Sequence, residues 1–440
     1  MRARLVRQLS PPEIELLRRA GTLAGEKGVR LFLAGGAARD VALRRPHHDW
    51  DLVVEGDGIL FARALAETWA GRATIHEPFM TATVRLDDGV TFDVATARRE
   101  TYPHPGSMPR VEPAGIAEDL WRRDFSINAI AVALCPGEWG KLLDPTGGMD
   151  DIEAGLVRAL HSGSFWDDAT RIVRAIGFEQ RLGFRIEPTT CAWIRSAAAE
   201  GALDTVSTER LGESILPLLQ NSIGPQALKR ANELGVARAL GARPAFTRKS
   251  LRALELVPEA VRRLGETGRP NRRAVACLAA LLLGRAVTAE RVIHQLHVDR
   301  FMARDLRSAA RFLEMHAAGF CPAATDAELW DQLREADFGG IAALWLVSRE
   351  DHHRCALERY WTHLRHCRPD FDPNLLRELG YPPGPGFGEA LRAAVRAKLE
   401  QGLGAEDQLT LARELLSSYP VDDRHGRKQS RTQRGGNRNG

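Results

Sequence analysis

A chain whose strand signals all fall in its first third can build one sheet there and must bury the remainder helix on helix. The runs LFLAGG, DWDLVVEG, TATVRL and VTFDVATAR lie between about residues 30 and 160, separated by glycine or charged turns. Within the same region ILFARALAETWAG has apolar residues three and four apart, which predicts a helix. From about residue 164 onward strand signals vanish. ATRIVRAIGFEQRLGF, TERLGESILPLLQ, AVACLAALLLGRAV and RDLRSAARFLEM all read as helices. The expectation is an α+β protein with a mixed sheet in its head and a long all-α body behind it.

With 440 residues the chain is long enough for several domains. No run of about 18 apolar residues occurs, so no membrane partner or span is expected. The N-terminus MRARLVRQLSPPEIELL lacks the apolar core and cleavage site of a signal peptide, which predicts a cytoplasmic protein. The six cysteines form no CxxC pair and predict neither a zinc knuckle nor a disulfide framework. The last twenty residues hold six Lys or Arg and two Asp, which accounts for the whole formal charge of +4. The remaining 55 bases and 55 acids balance, so a nucleic acid has to be met by a local basic patch.

Three clusters carry chemistry. Asp49 and Asp51 open DWDLVV one residue apart, so both point to one face of a strand. Side by side they repel and are costly to desolvate. A divalent cation relieves both, and hard oxygen ligands suit Mg²⁺. The bland alternative is a polar strand end, and by itself it wins. The preceding GGAARD shifts the weight. Gly35 and Gly36 lead from a strand into a helix, where backbone N–H groups can approach a phosphate, and Arg39 lies one turn further on. His47 and His48 read as a solvated turn.

The second cluster, LWRRDFSINAIAVAL (120–134), reads as a helix with Asp124 and Asn128 four apart on one face, preceded by Arg122 and Arg123. Guanidinium suits phosphate, and Asp with Asn can bracket a sugar hydroxyl. Against this stands an ordinary capped helix with a polar stripe. In the third, FWDDATRIVRAIGF (165–178), Asp168, Arg171 and Arg174 recur every three residues on a helix that buries Ile172, Val173 and Ile176. An intrahelical ion pair explains that spacing equally well. A carboxylate beside a guanidinium also complements the amino donor and ring-nitrogen acceptor that cytosine and adenine share. It rejects uracil and guanine, whose pattern is reversed.

The order of these clusters, continued by DVATARRETYPHPGSMP before the second, LLDPTGGMDDIEAGLVRAL before the third and STERLGESI after it, resembles the bacterial class II tRNA nucleotidyltransferase and poly(A) polymerase family. The likeness covers residues 30 to about 220 and returns at LLRELGYPPGPGFGEAL. It implies a polymerase-β-like nucleotidyltransferase head (1–160), then an all-α neck for base recognition (161–225), body for tRNA (226–365) and tail (366–420). A disordered basic segment (421–440) closes the chain. It implies Mg²⁺ on Asp49 and Asp51, triphosphate contacts from Gly36, Arg39 and Arg123, and sugar contacts from Asp124 and Asn128. Base recognition falls to Asp168 and Arg171, supported by Arg174. Ala38, Ser126, Asp167 and Gly177 depart from the family's usual Val, Thr, Glu and Arg. No HD phosphohydrolase signature occurs, and DHHRC (351–355) sits in a polar helical context.

The expected activity is template-independent addition of CMP and/or AMP, from CTP and ATP, to the 3′ end of tRNA. Its rivals are a poly(A) polymerase acting on other RNA ends and a non-catalytic RNA-binding protein that keeps the fold.

Overall fold

Leu31 and Leu33 face one core while Phe32 and Ala34 face another, which makes β1 (Arg30–Ala34) the middle of a sheet buried on both sides. The computed structural model describes residues 9–46, 50–237, 246–283, 287–381 and 383–418. Helix α1 (Pro11–Glu26) starts at a capping box in which Ser10 and Glu13 bond each other's backbone. After β1 come α2 (Gly35–Leu43), β2 (Trp50–Glu55), α3 (Gly58–Thr68), β3 (Arg72–His76), β4 (Thr81–Arg85) and β5 (Thr91–Thr96). A hairpin, β6 (Arg98–Thr101) and β7 (Arg110–Pro113), precedes α4 (Ile116–Trp121), β8 (Ala131–Ala133) and β9 (Leu142–Leu143).

The seven-stranded sheet runs β3-β4-β5-β2-β1-β8-β9, with β2 parallel to β5 and its other pairs antiparallel. Leu52, Val54, Phe92, Val94, Ala82 and Val84 pack with α1 and α3 on one face. The period of two then places Asp51 and Val53 of β2, Asp93 and Ala95 of β5, and Thr81 and Thr83 of β4 on the opposite face.

Residues 120–134 are not a helix. α4 ends at Trp121, Phe125 is extended, Ser126–Asn128 make one 3₁₀ turn, and Ala131–Ala133 are the central strand β8. A strand buried on both faces reads as a continuous apolar run, which periodicity cannot separate from a buried helix. Ser126 is buried and donates to Asp151 Oδ2 at 2.5 Å.

Beyond the sheet follow α5 (Gly148–Ala154), β10 (Leu156–Val157), α6 (Ser164–Asp167), α7 (Thr170–Leu182), β11 (Arg185–Ile186), α8 (Pro188–Glu200) and α9 (Thr208–Gln220). The two residues of β11 pair parallel with β10, a ladder too short to leave a signal in sequence. Ile172, Val173 and Ile176 are buried as expected. The described elements from α10 (Gly224–Glu233) onward are helical: α11 (Arg248–Arg263), α12 (Pro270–Leu282), α13 (Ala289–Gln295), α14 (Arg300–Ala317), α15 (Asp326–Leu333), α16 (Phe338–Val347), α17 (Asp351–Thr362), α18 (Pro373–Glu378), α19 (Pro385–Gln401) and α20 (Ala405–Ser417).

The chain divides into two compact units, residues 1–258 with 268–303, and residues 259–267 with 304–440. Within the second, α14 and α16 cross closely enough that a Cβ on Gly339 would stand 1.9 Å from the Asp305 carbonyl oxygen. Phe371, Leu376, Phe387, Ala390 and Leu416 form a small core among α18 to α20. All six cysteines are free thiols. Among the described residues no helix is long and apolar enough to cross a membrane.

Candidate active site

The first unit contains a cleft of about 1040 Å³ over the face of the sheet that carries Asp51. Gly36, Arg39, Asp51, Arg123, Asp124, Asn128, Asp168, Arg171 and Arg174 all line it. Asp49, like His47, His48 and the basic segment 421–440, lies outside the described residues.

Two glycines shape the floor. Gly35 has φ +65°, a left-handed conformation that suits glycine, and a Cβ there would stand 2.7 Å from Arg123 Nη1. A Cβ on Gly36 would come within 3.1 Å of Asp51 Oδ2. The turn thus brings backbone against the carboxylate, and the Ala37 N–H donates to Asp51 Oδ2 at 3.3 Å. Burial pushes the Asp51 carboxyl pKa up, and this N–H and Arg123 offset only part of that. Asp93 adds to the rise, because β2 and β5 pair with Asp51 opposite Asp93. Two such carboxylates suit a hard divalent cation, although no group of three metal-binding side chains occurs among the described residues.

Arg39 is buried and donates to Asn128 Oδ1 at 2.6 Å. Asn128 donates to Asp124 Oδ1 at 2.9 Å, and Asp124 Oδ2 pairs with Arg174 at 2.6 Å. Asp124 and Asn128 therefore meet, although no helix spans them. Burial pushes Asp124 up, but Arg174 and Asn128 hold its pKa below the ordinary carboxylate value. Arg122 and Arg123 both pair with the fully buried Asp119, at 2.7 and 2.9 Å. Arg122 also reaches Glu100 at 2.8 Å, and Glu100 accepts from the Tyr102 hydroxyl at 2.8 Å.

Asp168 and Arg171 line the same cleft, but they are not an ion pair. Asp168 precedes α7 and caps it, accepting from the Thr170 N–H at 3.0 Å. Its guanidinium partner is Arg210 of α9 at 3.1 Å, which also donates to the Gly106 carbonyl at 2.8 Å. Arg171 is buried and donates to Ser164 Oγ at 2.8 Å, the Arg122 carbonyl at 3.1 Å and the Tyr102 hydroxyl at 3.3 Å. Gly177 does not line the cleft. A Cβ there would meet Leu218 at 2.9 Å, on the packed side of α7.

Sequence reasoning missed Asp93, Glu100, Tyr102, Asp119 and Arg210. For Asp93 the signal was an acid on the polar side of an otherwise apolar strand, VTFDVAT. For Arg210 nothing local pointed to it, because its role depends on packing against Asp168.

A glycine turn and an acidic strand facing a cleft lined by arginines, on a mixed sheet followed by helices, define a polymerase-β-like nucleotidyltransferase head. Residues 31–158 match the model of the poly(A) polymerase head domain. This head is similar to those of tRNA nucleotidyltransferases and poly(A) polymerases. An A-adding tRNA nucleotidyltransferase of Geobacter sulfurreducens is 30% identical over 431 residues, 94% of this chain and 48% of that protein. A CC-adding tRNA nucleotidyltransferase of Deinococcus radiodurans is 39% identical over 185 residues, 42% of this chain and 48% of that protein. The chain thus spans about half the length of these relatives. A Thermotoga maritima CCA-adding enzyme complexed with tRNA-CCA superposes with TM-score 0.76 at 26% identity, covering 94% of this chain and 98% of that one.

Proposed function

We propose that the cleft binds ATP or CTP and transfers its nucleotide to the 3′ end of tRNA without a template. The observation that carries this is the meeting, in one cleft, of the Gly35–Gly36 turn, Asp51 and Asp93, the arginines 39, 123, 171 and 174, and Asp168. In this reading the turn, Arg39 and Arg123 hold the triphosphate, and Asp124 with Asn128 faces the sugar. The RNA 3′-hydroxyl attacks the α-phosphate and pyrophosphate leaves. Asp51, with Asp49, would hold Mg²⁺, and Asp93 stands opposite Asp51. The cation, when bound, lowers the pKa of the attacking hydroxyl and neutralises charge on the leaving group.

The base is read by Asp168 and Arg171 acting separately rather than as a pair. Among the described residues Asp168 Oδ2 accepts no hydrogen bond, which leaves an acceptor for the amino group of adenine or cytosine. Arg171, fixed by Ser164, Tyr102 and Arg122, faces the ring-nitrogen side. The neck (161–225) then selects the nucleotide, the helical body (226–365) grips tRNA by shape and phosphate, and the work is done in the cytoplasm. The relative that matches 94% of this chain is named for A addition, which favours AMP as the added nucleotide.

Product sequencing tests the reading. Transfer RNA ending before CCA, after C and after CC is incubated with each triphosphate separately. Single AMP addition to the CC end is the expected result. Long adenosine runs on unrelated RNA indicate a poly(A) polymerase, and no incorporation anywhere overturns catalysis.

A further inference from the structure

The proposed reaction needs a place for the RNA end as well as for the triphosphate, and strand order separates the two. The glycine turn leaves β1, Asp51 stands on β2, Asp93 on β5, and Thr81 and Thr83 on β4. In phosphoryl transfer the attacking and leaving oxygens stand roughly in line. With the phosphate cradle at β1, the attacking hydroxyl therefore approaches from the β5–β4 side.

At that side the cleft is lined by Phe79, which is exposed at 36%. Phe79 is not a loose surface residue. It ends the 3₁₀ turn Glu77–Phe79, and Met80 behind it takes a left-handed φ of 51°. The Met80 N–H returns to the Glu77 carbonyl at 3.0 Å, and the Met80 carbonyl accepts from the Thr96 N–H of β5 at 3.0 Å. Arg98 donates to the Phe79 carbonyl and is itself paired with Glu100 at 3.1 Å. A left-handed turn tied to β5 and to the half-buried Arg98 guanidinium thus holds an aromatic ring open to the cleft. Nothing in the hydrophobic core uses that ring.

We infer that Phe79 is the stacking platform for the 3′-terminal base of the acceptor RNA. This rests on the proposed function and adds the acceptor position to it. Stacking suits the task because every base has a π-face, so an aromatic ring holds a base without reading it.

The test compares the full-length protein with Phe79→Ala and Phe79→Trp. Removing one base–aromatic stack raises KM for tRNA by about tenfold, while KM for ATP and CTP stays within twofold and Phe79→Trp restores the RNA value. A second readout does not depend on turnover. RNA carrying 2-aminopurine at its 3′ end loses fluorescence on binding the wild type, and Phe79→Ala abolishes that quenching. An active wild type with unchanged KM for RNA and unchanged quenching in Phe79→Ala overturns the inference. So does an effect on KM for the triphosphates alone. A wild type that adds no nucleotide to any tRNA defeats the catalytic reading instead, and the quenching experiment still decides the platform.

Discussion

Asp124 Oδ2 stands 2.6 Å from Nη2 of Arg174, fifty residues further along the chain. The family resemblance assigned these two residues to different tasks, sugar and base. In the fold they form one unit with Asn128 and Arg39, and that unit ties α2 to α7.

Asp124→Ala removes the carboxylate and leaves Arg174 and the Asn128 amide without it. Arg174 is half-exposed and regains water, so the expected loss is about 2 kcal/mol, below that of a fully buried pair. The native carboxyl pKa lies below its ordinary 3.8, so its stabilisation is present above that value and is lost as pH falls through the native pKa. Urea denaturation at neutral and acid pH checks both, and Asp124→Asn should flatten the acid limb. A loss under 0.5 kcal/mol at neutral pH contradicts the role of this pair.

Asp51→Asn should reduce nucleotide incorporation by orders of magnitude without unfolding the head. Burial and Asp93 raise the Asp51 pKa, so ionising this carboxyl costs more in the folded protein than in the unfolded chain. Its contribution to stability is complete below the ordinary carboxylate range and is lost as pH rises through the raised native value. A neutral Asn therefore keeps or raises the melting temperature at pH 7, and the residual activity requires a higher Mg²⁺ concentration. A variant that incorporates near the wild-type rate would sink the assignment.

Gly35→Ala tests the turn. The left-handed backbone costs an alanine about 1–2 kcal/mol, and its Cβ must displace Arg123 Nη1 from 2.7 Å. The expected outcome is a higher KM for ATP and CTP with little change in KM for tRNA. Steady-state kinetics with each substrate varied in turn would show it, and unchanged triphosphate KM rejects the cradle.

Asp168→Ala should weaken ATP and CTP use and narrow the gap to UTP and GTP. An unsatisfied buried polar group costs about 1–3 kcal/mol, roughly a ten- to hundredfold preference. Arg210 loses its carboxylate partner in this variant, so Arg210→Ala serves as the comparison. If the two variants shift the four triphosphate rates in parallel without altering their ratios, Asp168 is structural and does not read the base.

The sequence by itself determined what local chemistry can determine. Alternating apolar residues announced the strands of the head, three-and-four spacing announced the helices, and the glycine pair with its acidic strand announced the turn that lies against Asp51. Those signals are short-range, because backbone period and side-chain size are fixed within a few residues. The same logic misread 120–134, since a strand with both faces buried carries no period of two. Only the tertiary structure decided which charges meet. Asp93 stands opposite Asp51 because β2 pairs with β5. Arg210 holds Asp168 and Arg174 holds Asp124 because α9 and α7 pack where they do. Ion pairs between distant segments leave no trace in spacing, and desolvation, which raises Asp51 and buries Asp119, exists only once the chain has excluded water around them.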